Sequence, residues 1–394
     1  MRLGIDASNL KAGGGLVHLR EILSAAEPDR HGISEVLIWG GRDTLRVLPQ
    51  RAWLRPIWLP QCDQNIVSRS IWQTRVLPRL ATGKIDLLFS PGGTHIGAFR
   101  PYVTMIRNWL LFDRYELMRY GLSRQVLRLE LLRYLQIRTL RDAAGVIFLT
   151  EYSRDKVRPK MKSDTSSIVI PHGVSDAFRF VPKSQLPITQ YSMDHPFQFL
   201  YVSWVEPYKE QLKLVRAVAK LRSQAYPIAL HLAGAGESRS VAELKRSISD
   251  FDPEGKFLHY HGPVQYPEIA ELYRQVDAFA FPSSCETFGM PLLEAMAAGL
   301  PVASSNKAVM PEVVADAGVL FSPEVEEIAV CLRELVEDVD VDLRQKCAMA
   351  STRRAERFTW ARTADATFAY LADTWRRSQQ TKVCQDSAPL VLQR

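Results

Sequence analysis

Residues 277–305, DAFAFPSSCETFGMPLLEAMAAGLPVASS, place a strand, a loop, a short helix and a second strand in direct succession. The apolar run after Asp277 and the VASS run after Pro301 read as buried strands. Between them, Pro291 suits the first turn of a helix, where its missing N–H costs no hydrogen bond. Gly299 followed by Pro301 is a stop signal, so the helix is expected from about Met290 to Ala298. Its Ala295, Ala297 and Ala298 allow close packing on a sheet.

The same alternation runs through the rest of the chain. In the first half MRLGIDA, EVLIWGG, IDLLFSPGG, YVTMI, AGVIFLT and SSIVIPHGV read as strands, with a helix expected from about Leu16. In the second half FQFLYVSW, IALHLAG, FLHYHGP, DAFAFPS, PVASS and GVLF repeat the pattern around amphipathic stretches such as EQLKLVRAVAKLRSQ. Apolar strands alternating with helices indicate an α/β class with parallel sheets covered on both faces. The proline-rich stretch 182–196 is the expected linker. The organisation that follows is an amino-terminal Rossmann-like domain, 1–181, and a carboxyl-terminal one, 197–360, with a cleft between them. A helix over 361–378 is expected to pack back toward the first domain, and 379–394 to form a loose tail.

A chain of 394 residues with 46% hydrophobic and 24% charged residues has the mix of a folded two-domain protein. Its formal net charge of +7 favours anionic partners. Cys62, Cys285, Cys331, Cys347 and Cys384 are scattered, with no C-x-x-C pair, so neither a disulfide framework nor a zinc site is indicated. The start MRLGIDASNL carries Asp6 within its apolar run and lacks a signal-peptide core. No apolar run approaches the roughly 18 residues of a spanning helix. A cytoplasmic protein, free or peripheral on the cytoplasmic face of a membrane, is the expectation.

Two carboxylates give the opening stretch its chemistry. Glu286 lies in the loop before the helix and Glu294 about one turn inside it, so both can face one crevice. Backbone N–H groups around Phe288, Gly289 and Met290 point out of a helix end that carries partial positive charge. Gly289 lets a ligand approach the main chain closely. Carboxylates accept hydrogen bonds from vicinal hydroxyls, such as those of a ribose and a hexose. Each glutamate alone fits a solvated loop residue or a partner of the helix dipole equally well; the bend and the small-residue helix favour a ligand site.

The stretch PSSCETFGMPLLEAMAAGLPV resembles the E-x7-E signature of retaining glycosyltransferases with the two-domain GT-B fold, of the family 4 (group 1) kind. HLAGAGES, HYHGPVQYPEIAELYRQVDAFAFPS and MPEVVADAGVLFSP follow the same pattern, and the resemblance is weaker in the amino-terminal half. It implies that Glu294 holds the ribose and Glu286 the donor sugar, with Thr287, Phe288, Gly289 and Met290 on sugar and phosphate. It puts Lys209 of YVSWVEPYKEQ on the donor diphosphate, with Ser203 and Trp204 where the family usually has Gly and Arg. Gly234, Gly236, Pro263 and Val264 would frame the base, and Gly13, Gly14 and Gly15 resemble the family's glycine loop. Where many relatives carry His-Asp, this chain has Arg107 and Asn108. Arginine stays protonated and is no general base.

The implied chemistry is transfer from a GDP- or UDP-sugar to a glycan or lipid-linked saccharide, with no cofactor and no metal. Catalytic roles fall to Glu286, Lys209 and Asn108. DVDVD, 338–342, resembles the metal motif of other sugar transferases but reads as a solvated acidic turn. Residues 100–141 hold nine arginines and three acids, and Leu127, Leu131, Leu135 and Leu140 make an amphipathic helix there. Such a helix either packs on the core or rests on an anionic membrane surface. No nucleic-acid module is present. An epimerase or phosphorylase on the same fold, or a non-catalytic glycan-assembly partner with a decayed donor site, are the alternatives.

Overall fold

The computed structural model describes residues 1–11, 13–121, 123–338 and 341–386. The first sheet is built from β1 (Arg2–Asp6), β2 (Glu35–Gly40), β3 (Leu54–Trp58), β4 (Leu87–Ser90), β5 (Tyr102–Met105), β6 (Gly145–Phe148) and β7 (Ser166–Val169). Their spatial order is β3-β2-β1-β4-β5-β6-β7. The second contains β8 (Phe197–Val202), β9 (Ile228–Ala233), β10 (Leu258–Tyr260), β11 (Ala278–Phe281), β12 (Val302–Ser305) and β13 (Gly318–Phe321), in the order β10-β9-β8-β11-β12-β13. Neighbouring strands run parallel, as in β8 and β9, where Phe199 stands opposite Leu230 and Tyr201 opposite Leu232. These are two Rossmann-like α/β units, as the strand pattern implies.

Burial explains which strands the sequence announces. Every residue of β4, β6 and β11 is buried, as expected of parallel strands covered by helices on both faces. The strand β3 was not expected. Its sequence LRPIW buries only Leu54 and contains Pro56, which an edge position tolerates because no neighbour needs its N–H. In each sheet the chain reverses its direction of growth beside the first strand, between β1 and β4 and between β8 and β11. Loops at the carboxyl ends of such strands form ligand crevices.

Two compact units divide the chain differently from the expected boundaries. The first comprises Met1–Phe112, Leu127–Gly173 and the chain from Trp360; the second comprises Asp113–Val126 and Val174–Thr359. Segment 113–126 therefore leaves the first unit for the second. The Arg119 guanidinium donates to both oxygens of the Glu210 carboxylate, at 2.5 and 3.3 Å, and the Tyr120 hydroxyl to Glu206 at 2.7 Å. The expected linker 182–196 also lies inside the second unit, where the Lys183 ammonium donates to the Val276 carbonyl at 3.1 Å. Residues 174–181 join it there through Phe178, whose ring meets Tyr266 and Tyr273 edge-on.

The last helix runs from Trp360 to Asp386, so 379–386, expected in the tail, is helical; 387–394 lie outside the described residues. Within the first unit this helix packs on the helix Gly14–Ala25. Of the expected acidic turn 338–342, Val339 and Asp340 also lie outside the described residues. Asp338 is not solvated: its carboxylate accepts the backbone N–H of the buried Arg344 at 2.9 Å.

Candidate functional site

The switch point of the second sheet gathers the expected donor residues. The loop after β8 carries Ser203, Trp204 and Lys209, and the loop after β11 carries Glu286. The two loops are stitched at Tyr208, whose carbonyl accepts the Ser284 N–H at 2.9 Å and the Ser284 hydroxyl at 3.0 Å. The Lys209 carbonyl accepts the hydroxyl of buried Tyr201 at 2.9 Å, which fixes the main chain where the lysine side chain leaves it. The Lys209 ammonium then forms an ion pair with the Glu286 carboxylate, with side-chain exposures of 11% and 14%. Sequence reading assigned these groups to different parts of one ligand; in the unliganded protein they neutralise each other.

The helix after the second loop spans Met290–Ala297 and begins at Gly289, whose φ of +88° is left-handed and suits glycine. Phe288 is buried with its ring against Phe358, whereas Thr287 and Met290 are half-buried. Glu294 is 8% exposed, and its carboxyl lies 3.1 Å from the Tyr273 hydroxyl. Burial pushes the Glu294 carboxyl up to about 8, against the opposing effect of Tyr273. It therefore holds its proton near neutral pH. Tyr273 also donates to the Pro291 carbonyl at 3.0 Å, so a protonated Glu294 can donate to the tyrosine oxygen in turn. Tyr273 was missed in the sequence, although it sits in the quoted YPEIAELYRQV stretch.

Ser203 and Trp204 form a turn fastened by Gln211, whose amide donates to the Ser203 hydroxyl and the Trp204 carbonyl, both at 2.9 Å. The Trp204 indole is 52% exposed. The glycines of AGAGES serve the same turn. A Cβ on Gly234 would stand 1.9 Å from the Ser203 carbonyl oxygen, and one on Gly236 2.6 Å from the Val205 side chain. Their immediate role is to let the loop after β9 press against the loop after β8. Val264 is half-buried, just before the capped helix that starts at Tyr266.

Gly14, Gly15 and Asn108 belong to the first unit. A Cβ on Gly15 would meet the Arg107 guanidinium at 2.9 Å, so the glycine loop and this arginine are neighbours there. Asn108, expected in a catalytic role, uses its side-chain oxygen to cap the turn Trp109–Leu111 through the Leu110 N–H at 3.2 Å. Sequence reading also missed a second-unit cavity of 620 Å³ lined by Arg119, Tyr120, Glu206, Glu210, Glu237 and Arg239. The acids flanking Lys209 in VEPYKE were its only signal.

Comparison with known proteins agrees with this geometry. Residues 190–354 match the family model described as Glycosyl transferases group 1. The O-antigen chain mannosyltransferase B of Escherichia coli is 29% identical over 219 residues, covering 55% of this chain and 54% of that protein. The chain thus spans about half the length of this curated relative. Among solved structures, sucrose-phosphate synthase from Thermosynechococcus elongatus superposes with a TM-score of 0.71 at 16% identity, covering 97% of this chain and 100% of that one. Anabaena HepE in complex with UDP and glucose gives 0.65 at 19% identity, covering 98% and 100%. The chain therefore has the GT-B fold of two Rossmann-like units, and its residues 190–354 carry the sequence pattern of glycosyl transferases group 1.

Proposed function

We propose that this protein is a glycosyltransferase that moves a sugar from a GDP- or UDP-sugar to a glycan or lipid-linked saccharide, with retention, in cell-surface polysaccharide or lipopolysaccharide biosynthesis. The observation that carries the reading is the Lys209–Glu286 pair at the switch point, in the loops that lead to the helix whose first turns carry buried Glu294. An incoming diphosphate competes for the Lys209 ammonium and frees the Glu286 carboxylate for sugar hydroxyls. Glu294 takes the ribose. As the bond from sugar C1 to the diphosphate oxygen breaks, C1 bonds to the acceptor oxygen on the same face, and the acceptor proton passes to the departing diphosphate. Lys209 stabilises the charge that develops there. With that cation in place the reaction is proposed to need no metal and no cofactor.

Asn108 would assist only through its amide N–H groups, since its oxygen caps a turn. The proposed location is cytoplasmic, peripheral at an anionic membrane surface. Among the described residues no helix is long and apolar enough to cross a membrane. The helix Arg124–Asp142 leaves Leu131 and Tyr134 exposed beside its arginines. Transfer assays over a panel of nucleotide-sugars, with the product's anomeric configuration read by NMR, test the reading. Inversion, or no nucleotide-sugar raising the melting temperature, would overturn it.

The exposed Trp204 indole favours a second reading, a glycan-assembly partner with a weakened donor site. Trp204→Arg separates the two. Restoring a second guanidinium should tighten UDP or GDP binding roughly tenfold, as a charge-assisted phosphate contact does. If the variant binds nucleotide and transfers sugar while the parent does neither, the decayed-site reading stands. Calorimetric titration of both proteins measures the difference.

A further inference from the structure

The first unit holds a cavity of 250 Å³ between the helices Ile66–Ile71 and Arg124–Asp142, beyond the carboxyl ends of β1, β4 and β5. Arg69, Arg107 and Arg128 line it, and none of its lining residues is acidic. The nearby Asp6 carboxylate is committed elsewhere. It is buried and accepts the Ser8 hydroxyl at 2.6 Å and the Gln73 amide; burial raises its pKa, and these hydrogen bonds and the Arg69 charge act the other way. The Arg69 contacts to the Ser8 carbonyl and Asn9 are long, 3.4 and 3.5 Å, and its Nε is buried with no hydrogen-bond partner among the described residues.

A second observation points to a ligand. Gln136 is 2% exposed and lines the same cavity, yet its side-chain oxygen has no donor among the described residues. Buried amide oxygens are ordinarily satisfied. An occupant that brings both an anionic group and a hydroxyl donor completes the site. Outside the cavity the two helices present apolar side chains to solvent: Val67 is 63% exposed on one, and Leu127 74% on the other. An anion-seeking cavity rimmed by exposed apolar residues fits an amphiphile better than a free ion.

We propose that this cavity seats the phosphate head of a lipid, with the apolar chain lying along the outward faces of the two helices. Arg69 and Arg128 bind the phosphate, and Gln136 accepts a hydroxyl from the head. The assignment rests on the reading of a lipid-linked acceptor and gives that acceptor's charged group its place.

Dodecyl phosphate below its micellar concentration, titrated calorimetrically onto the full chain, is the probe, with inorganic phosphate and dodecyl maltoside as controls. Dodecyl phosphate should bind, inorganic phosphate at least about tenfold more weakly, and dodecyl maltoside not measurably. Arg69→Gln and Arg128→Gln should each weaken dodecyl phosphate roughly tenfold. The double change Leu127→Ser with Leu131→Ser should abolish its advantage over inorganic phosphate. Equal binding of both phosphates overturns the lipid assignment, and unchanged binding in both arginine variants overturns the cavity. UDP and GDP titrations run in parallel keep the two readings apart. Loss of nucleotide binding with dodecyl phosphate binding intact sinks the transferase and leaves this site standing.

Discussion

Lys209→Met should lower sugar transfer by about a hundred- to a thousandfold, the cost of losing one preorganised charge at a developing anion. The ammonium is held in place before any ligand arrives. Tyr201 grips its carbonyl, Ser284 grips the preceding one, and the Glu286 carboxylate holds the ammonium itself. Removing it also strands a poorly exposed carboxylate, so the single variant should lose stability as well. The double variant Lys209→Met with Glu286→Gln separates these effects. It should regain melting temperature, since no lone charge remains, and recover no activity. A loss of transfer below about fivefold in the single variant, or activity returning with stability in the double, would remove Lys209 from the chemistry.

Glu294→Gln should make the unliganded protein more stable at pH 8 while weakening its hold on nucleotide. The carboxyl titrates near 4.5 in an unfolded chain and is raised to about 8 by burial in the fold. Below pH 4.5 both states are protonated and the residue contributes no pH dependence. Between 4.5 and 8 the unfolded state releases its proton and the folded state keeps it, so stability falls as pH rises and levels off above 8. A gap of that size corresponds to about 5 kcal/mol, an upper figure for a site that relaxes on ionising. Urea unfolding at pH 5 and pH 8 should show the parent losing stability and the glutamine variant holding its own. Parallel curves would mean that Glu294 is not the neutral group described. Ribose hydroxyls favour the carboxylate, so nucleotide should bind the parent more tightly as pH approaches 8, where the variant should bind about tenfold more weakly, the difference closing toward pH 5.

The fold was legible where physics is local. Runs such as LLFS, GVIF and AFAF are apolar because helices cover both of their faces, and nothing distant is needed to read them. The edge strand β3 hides because a single covered residue leaves no pattern, and Pro56 argues against a strand. The site was legible in its residue types and less so in its pairing. Lys209 and Glu286 were found through a motif, but 77 residues separate them, and no sequence spacing announces that they touch. Glu294 was found as an acid; its neutral state depends on burial and on Tyr273, which arrives from another helix. Arg119 and Glu210, 91 residues apart, were out of reach for the same reason.

The placement of 113–126 in the second unit bears on how such proteins are recombined. A chimera spliced at Gly173, with each half taken from a different homologue, separates Arg119 and Tyr120 from the acids they evolved to meet. Glu210 is 5% exposed, so a mismatched graft removes its two-pronged guanidinium partner and leaves this buried charge with only the Lys213 ammonium, 3.7 Å away. Transplanting the fourteen-residue excursion together with the carboxyl-terminal half should rescue a hybrid that the simple splice makes insoluble.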